Sequence, residues 1–111
     1  MIVEDDRLDA VFHALANRTR RRLLADLAAG PARVNELARP HGMSVAAISK
    51  HLFVLEDAGL IERKREGTVQ SCVLHADALA GADRWIVSYR KYWSDQLDGL
   101  ARFVEGRKDA P

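Results

Sequence analysis

A mainly α-helical fold with one small β-hairpin, in the order α-α-α-α-β-β-α, is what this 111-residue sequence predicts, and three observations lead there. Apolar residues recur at threes and fours through four successive stretches before residue 60. Between residues 60 and 75 the composition turns to Thr, Val and Ile around a Glu66-Gly67 turn signal. From about Ala76 to Val104 the helical spacing returns, now carrying the aromatic residues Trp85, Tyr89, Tyr92 and Trp93.

The elements follow in order. Leu8, Val11, Phe12 and Leu15 fall at i, i+3, i+4 and i+7, one apolar stripe of a short first helix. Asn17 is an N-cap for the second helix, because its side-chain oxygen accepts from an orphan backbone N–H. Leu23, Leu24 and Leu27 are the inward row of that helix, and Gly30-Pro31 ends it, so the first two helices occupy about 8–30. "VNELARPHG" is a very short third helix with Val34 and Leu37 inward, halted by Pro40, with Gly42 in the turn that follows. Ser44 caps a fourth helix in which Ile48, Leu52 and Leu55 repeat at i, i+4 and i+7 until Gly59 stops it. Residues 33–59 are thus two helices joined by a tight turn, and 60–75 a hairpin whose first arm is mostly charge. The last helix, 76–104, carries Trp85, Tyr89, Tyr92, Trp93, Leu97, Leu100 and Val104, and Gly81 is expected to break its beginning.

Length and composition fit a single domain over 1–111 with one core, since 48% of the residues are hydrophobic. No apolar run is long enough to span a bilayer, and the first residues are acidic rather than signal-like, so we expect a soluble cytoplasmic protein that does not engage a membrane. A single cysteine, Cys72, excludes an internal disulfide framework, and its place beside Leu74 on one strand face suits a small buried hydrophobe rather than a redox sensor. The formal net charge is +1, so bulk charge does not identify a partner and the distribution of charge must.

The fourth helix opens on "SVAAISKH" and keeps its large apolar residues for later. A helix tip that enters a DNA major groove needs small residues, so that its backbone approaches the base edges, and short donors among them. Val45, Ala46 and Ala47 leave that room and can touch thymine methyls; Ser49, Lys50 and His51 can donate to bases or phosphates. Preceded by a short helix and a tight turn, this stretch reads as a helix-turn-helix. The hairpin, with Arg63, Lys64 and Arg65 on one arm and Gln70 on the other, is placed as a wing against phosphates or the minor groove. Taken alone, each feature has an ordinary reading, a surface helix or a solvated edge strand, and it is their order that favours DNA. Arg18, Arg20, Arg21 and Arg22 cannot all face one way, which leaves phosphate contact and plain solvation both open.

"FHALANRTRRRLLADL", "VNELA", "SVAAISKHLFVLEDAGLIERKREGT" and "RWIVSYRKYWSDQLDGL" together resemble the ArsR-type (ArsR/SmtB) winged helix-turn-helix transcriptional repressors of bacteria, over about Leu8 to Val104. The resemblance implies a homodimer that binds double-stranded DNA at an operator and releases it on a signal. It carries the recognition role onto Ser44, Val45, Ala46, Ala47, Ser49, Lys50 and His51, and the wing role onto Arg63, Lys64, Arg65, Thr68 and Gln70. The aromatic residues of the last helix ask for a partner on their own account, being more bulk than a small monomer leaves uncovered. Leu8, Val11 and Phe12 of the first helix, with Trp85, Tyr89, Tyr92, Trp93, Leu97 and Leu100 of the last, are therefore the expected dimerisation residues. Two-fold symmetry then predicts an inverted-repeat operator.

Many relatives in this family sense metals through a Cys-x-Cys pair on the third helix, which here reads "NELARPHG" and has no cysteine. A second family site needs Asp and His on the last helix, and residues 83–104 contain no histidine. We expect no metal site and no cofactor. His13, His41, His51 and His75 are scattered over separate elements, and ordinary solvated or packed roles outweigh ligation. There is no Gly-rich phosphate loop, and Cys72 with His75 lacks an orienting acid nearby in sequence, so an enzyme is not expected. The competing reading is a protein-interaction module whose aromatic helix or wing binds a partner protein. The signal is left open, whether a small molecule or a protein effector.

Overall fold

The computed structural model describes the backbone of residues 2–109 and the side chains of residues 6–106. Helix α1 spans Ile2–Leu15 and α2 Arg18–Ala28; a two-residue strand β1, Ala32–Arg33, leads into α3, Val34–Ala38. A 3-10 turn, Arg39–His41, joins α3 to α4, Val45–Asp57. Strands β2, Ile61–Glu66, and β3, Val69–Leu74, follow, and after a second 3-10 turn, Ala76–Ala78, α5 runs Leu79–Asp109. The fold is mainly helical with a small antiparallel sheet, the winged helix-turn-helix arrangement the sequence predicts.

Three details depart from the sequence reading. Helix α1 begins at Ile2, six residues before Leu8, because nothing between them, neither Gly nor Pro, stops it. Strand β1 was not foreseen: it pairs with β3, Ala32 opposite Cys72 and Arg33 opposite Ser71, giving the order β1-β3-β2. Two residues carry no periodicity, so only pairing defines them as a strand. Gly81 does not interrupt the last helix, which runs through it from Leu79; the irregular turn lies just upstream at Ala76–Ala78, where no pattern marked it.

The core forms where the inward rows meet. Leu23 and Leu27 of α2, Val34 and Leu37 of α3, and Ile48, Leu52 and Leu55 of α4 are buried together with Val11 and Ala14 of α1 and Cys72 of β3. Cys72 is a free, buried thiol, and burial pushes its pKa up, which keeps it protonated and unreactive. The end of α4 is fixed by backbone geometry: the Leu60 amide donates to Leu55 O (3.0 Å) and the Gly59 amide to Glu56 O (2.9 Å). That pair of bonds needs a left-handed residue, which Gly59 supplies at φ 77°. Leu60 and Ile61 then enter the core and turn the chain into the wing.

Arg20 is the one buried polar or charged residue among those described. Its Nε donates to Ala14 O (2.7 Å) and its Nη2 to His13 O (2.8 Å), satisfying two carbonyls that end α1. Arg21 does the same from the surface, donating to Leu15 O (2.7 Å). Two of the four clustered arginines thus serve as caps, where a cation also meets the negative end of the helix dipole.

The molecule is elongated, 77 × 34 × 21 Å, with a radius of gyration of 20.1 Å; a compact chain of this length has about 13 Å. Helix α5 causes the difference. Ala82 is its last buried residue among those described, and every side chain from 83 to 98 is exposed.

Candidate nucleic-acid interface

The face of α4 opposite Ile48, Leu52 and Leu55 is free of the core by helical geometry. Ser44 caps its start, accepting from the Ala47 amide through Oγ (3.1 Å) and keeping its hydroxyl proton for another acceptor. Ser44, Val45, Ala46 and Lys50 are exposed, and Ala47 and Ser49 half-buried, so the first turns present small residues and short donors at a helix N-terminus.

The wing stands beside this tip. Glu66 pairs with Val69 across a two-residue turn in which Gly67 adopts φ 63°, as a tight hairpin turn requires. Lys64, Arg65 and Thr68 are exposed and Gln70 half-buried. A groove of about 300 Å³ separates tip from wing, lined by Val45 and Ser49 on one side and Thr68, Val69 and Gln70 on the other. Arg33 and Asn35 also line it. The sequence reading did not include them, because they join the site only through the β1–β3 pairing, which carries no local signal.

Arg63 occupies a different place from its neighbours. Two residues after buried Ile61 and directly across from Cys72, it lies on the inner face of β2. Its Nη2 donates to Ser49 O on α4 (2.6 Å), and its Nε, which has no hydrogen-bond acceptor among the described residues, sits 3.9 Å from Glu56 Oε1. The guanidinium therefore ties the wing to the helix tip. Period-two alternation from Ile61 was the available signal.

His51 is half-buried and also turned inward, its Nδ1 3.4 Å from Arg20 Nη1. Desolvation, then the charge of Arg20, then that of His41, lower its pKa from the ordinary 6.5. A folded state that disfavours the protonated ring is unaffected by pH above about 6.5 and loses stability as pH falls below it, where only the unfolded chain takes up the proton readily. The denaturation midpoint should fall between pH 7.5 and pH 5, and His51→Asn should flatten that dependence; an equal slope in both proteins would refute the assignment. His41 and His75 bond instead to Asp26 (3.2 Å) and Glu62 (2.9 Å).

The residues expected to dimerise divide. Val11 is buried in the core, which removes it from any surface a second chain meets, and Leu8 and Phe12 pack partly against that core. Trp85 meets Phe12 edge-on (ring centroids 5.5 Å) and stacks on Tyr89 (4.9 Å), so α1 and α5 share one aromatic row that continues through Tyr92 and Trp93. With Ile86, Leu97, Leu100 and Val104 these residues are 40–60% exposed. At 100° per residue they fall within roughly 140° of the helix circumference, one continuous stripe. No helix among the described residues is long and apolar enough to cross a membrane, and no three His, Cys, Asp or Glu side chains among them gather into a metal cluster.

Residues 15–64 match a helix-turn-helix domain family. The chain is 35% identical over 101 residues to the HTH-type transcriptional regulator Rv2034 of Mycobacterium tuberculosis, covering 91% of this chain and 92% of that protein. Its structure is similar to a crystal structure of an ArsR family transcriptional regulator, with a TM-score of 0.76 and 34% identity over 81% of this chain and 93% of the other. It is also similar to the solution structure of the homodimeric winged helix-turn-helix DNA-binding domain of Mb0332 from Mycobacterium bovis, with a TM-score of 0.63 and 34% identity over 78% and 82% of the two chains.

Proposed function

The chain belongs to the ArsR family of winged helix-turn-helix DNA-binding transcriptional regulators, and from that premise we propose that it is a homodimeric repressor of an inverted-repeat operator, without the family's usual metal-sensing sites. The observation that carries this reading is the tip of α4: small residues and short donors exposed beside a basic wing, on a helix whose other face is fully buried. Val45, Ala46 and Ala47 approach thymine methyls, while Ser44, Ser49 and Lys50 donate to base edges and phosphates. Lys64, Arg65, Thr68 and Gln70 hold the adjacent backbone or minor groove. Arg63 acts through Ser49, holding the wing at a fixed distance from the tip. His51, whose Nδ1 faces Arg20, keeps Nε2 for a phosphate.

The α5 stripe supports the dimer. Its eight side chains, each offering roughly 100 Å², amount to on the order of 800 Å², the share one partner contributes to a stable interface and more than a monomer ordinarily exposes. The homodimeric state of Mb0332 supports it too. A two-fold axis through paired α5 helices sets the two tips about 34 Å apart, one duplex turn, so the operator is an inverted repeat. A dimer lying across a promoter represses by excluding polymerase.

Binding to a duplex selected from a random pool tests the proposal. Affinity should fall steeply with salt as phosphate contacts release counterions. Lys50→Ala should weaken every sequence about tenfold and reduce the salt slope by about two for the dimer, whereas Ser49→Ala should change which base is preferred. Equal losses on all sequences for both variants would refute base reading by α4, and a selection that yields no duplex would leave protein docking as the function. Chelator should leave the affinity unchanged.

A further inference from the structure

The contacts proposed above leave one large apolar side chain on the outward face of α4 unused. Phe53 is 62% exposed, on a helix whose Ile48, Leu52 and Leu55 are completely buried. Helical geometry puts it four residues after Ser49, three after Lys50 and seven after Ala46, so it points where the recognition tip points. We infer that Phe53 is a specificity-determining residue, reading a thymine by packing its ring on the base's 5-methyl group. The inference rests on the DNA-binding reading and adds to it a base and an atom.

Size, chemistry and charge along this face agree. Side chains lengthen from the short Ala46 and Ser49 to the long Lys50 and Phe53, and Phe53 lies about 10 Å further along the axis than Ala46. A straight helix entering a curved groove is nearest the floor at its tip and recedes behind it, so a residue two turns back needs a longer side chain to reach base edges. The thymine methyl is the apolar group that base edges present in the major groove, and a phenyl ring has neither charge nor donor to give a phosphate. Beyond Phe53 come Glu56 and Asp57, both exposed and both repelled by phosphates, so Phe53 is where the duplex-facing stretch of α4 ends.

The full-length protein and its selected duplex provide the test. Each thymine is replaced in turn by deoxyuridine, which removes only the methyl group, and binding is measured for the wild type, Phe53→Ala and Phe53→Leu. At one position per half-site the wild type should lose about fourfold, or on the order of 15-fold with both half-sites changed, the worth of one buried methyl group each. Phe53→Ala should bind more weakly and show no loss at that position while keeping the losses at others; Phe53→Leu, which retains an apolar contact, should keep part of it. Matching deoxyuridine profiles for wild type and Phe53→Ala would overturn the inference and leave DNA binding intact. A wild type that selects no duplex would overturn both.

Discussion

Replacing Trp93 and Leu97 together by glutamate is expected to turn the protein into a monomer at micromolar concentration and to weaken operator binding by about 10²–10⁴-fold. Both side chains are more than half exposed, so the substitutions leave the protomer's own core untouched and the helical signal in circular dichroism should be unchanged. What they remove is the partner. Four carboxylates facing one another across a two-fold axis, in place of apolar surface, oppose association by repulsion and by lost burial. Each half-site contact then has to form independently, without the high effective concentration the second site has when the two tips are joined. Light scattering gives the mass and fluorescence anisotropy the affinity. A double variant that keeps twice the chain mass would show that α5 is not where the copies meet.

The second large effect is on stability. Arg20→Met should cost about 3 kcal/mol, which for a domain of this size lowers the melting temperature by roughly 12 °C. The methionine fills most of the space but takes from Ala14 O, at the end of α1, its Arg20 donor in a site where water is scarce, and leaves His13 O with only the long bond from the Ala16 amide (3.2 Å). It also removes the cation from the negative end of the helix and the neighbour of His51. Arg21→Ala is the control, because Arg21 makes a similar bond to Leu15 O from an exposed position and should cost a few tenths of a kcal/mol. Equal melting temperatures for the two variants would show that burial of Arg20 does not matter to the fold.

The elements and their inward rows were legible because each is a local pattern. Leu23 and Leu27, Val34 and Leu37, and Ile48, Leu52 and Leu55 all lie in the core where their spacing placed them. The caps Asn17 and Ser44 were legible for the same reason, since an N-cap bonds an amide three residues away. Arg63 was harder. As part of "ERKRE" it looks equivalent to Lys64 and Arg65; alternation from Ile61 sets it and Arg65 on one face, and only Arg63, the nearer to the core, bonds to α4. Val11 shows the opposite problem: one apolar stripe on α1 serves both the core and the surface, and spacing does not say which residue does which.

By itself the sequence determined the order of the elements, the face each one buries, and the small, donor-bearing opening of α4, because helical and strand periods, caps and turn glycines act over four or five residues. Only the tertiary structure decided which arginines cap α1, that Arg63 braces Ser49, and that Arg33 and Asn35 line the groove beside the wing. Those outcomes depend on contacts between residues far apart in the chain, and a side chain's role is set there by what the packed neighbours leave for it to bond or to cover.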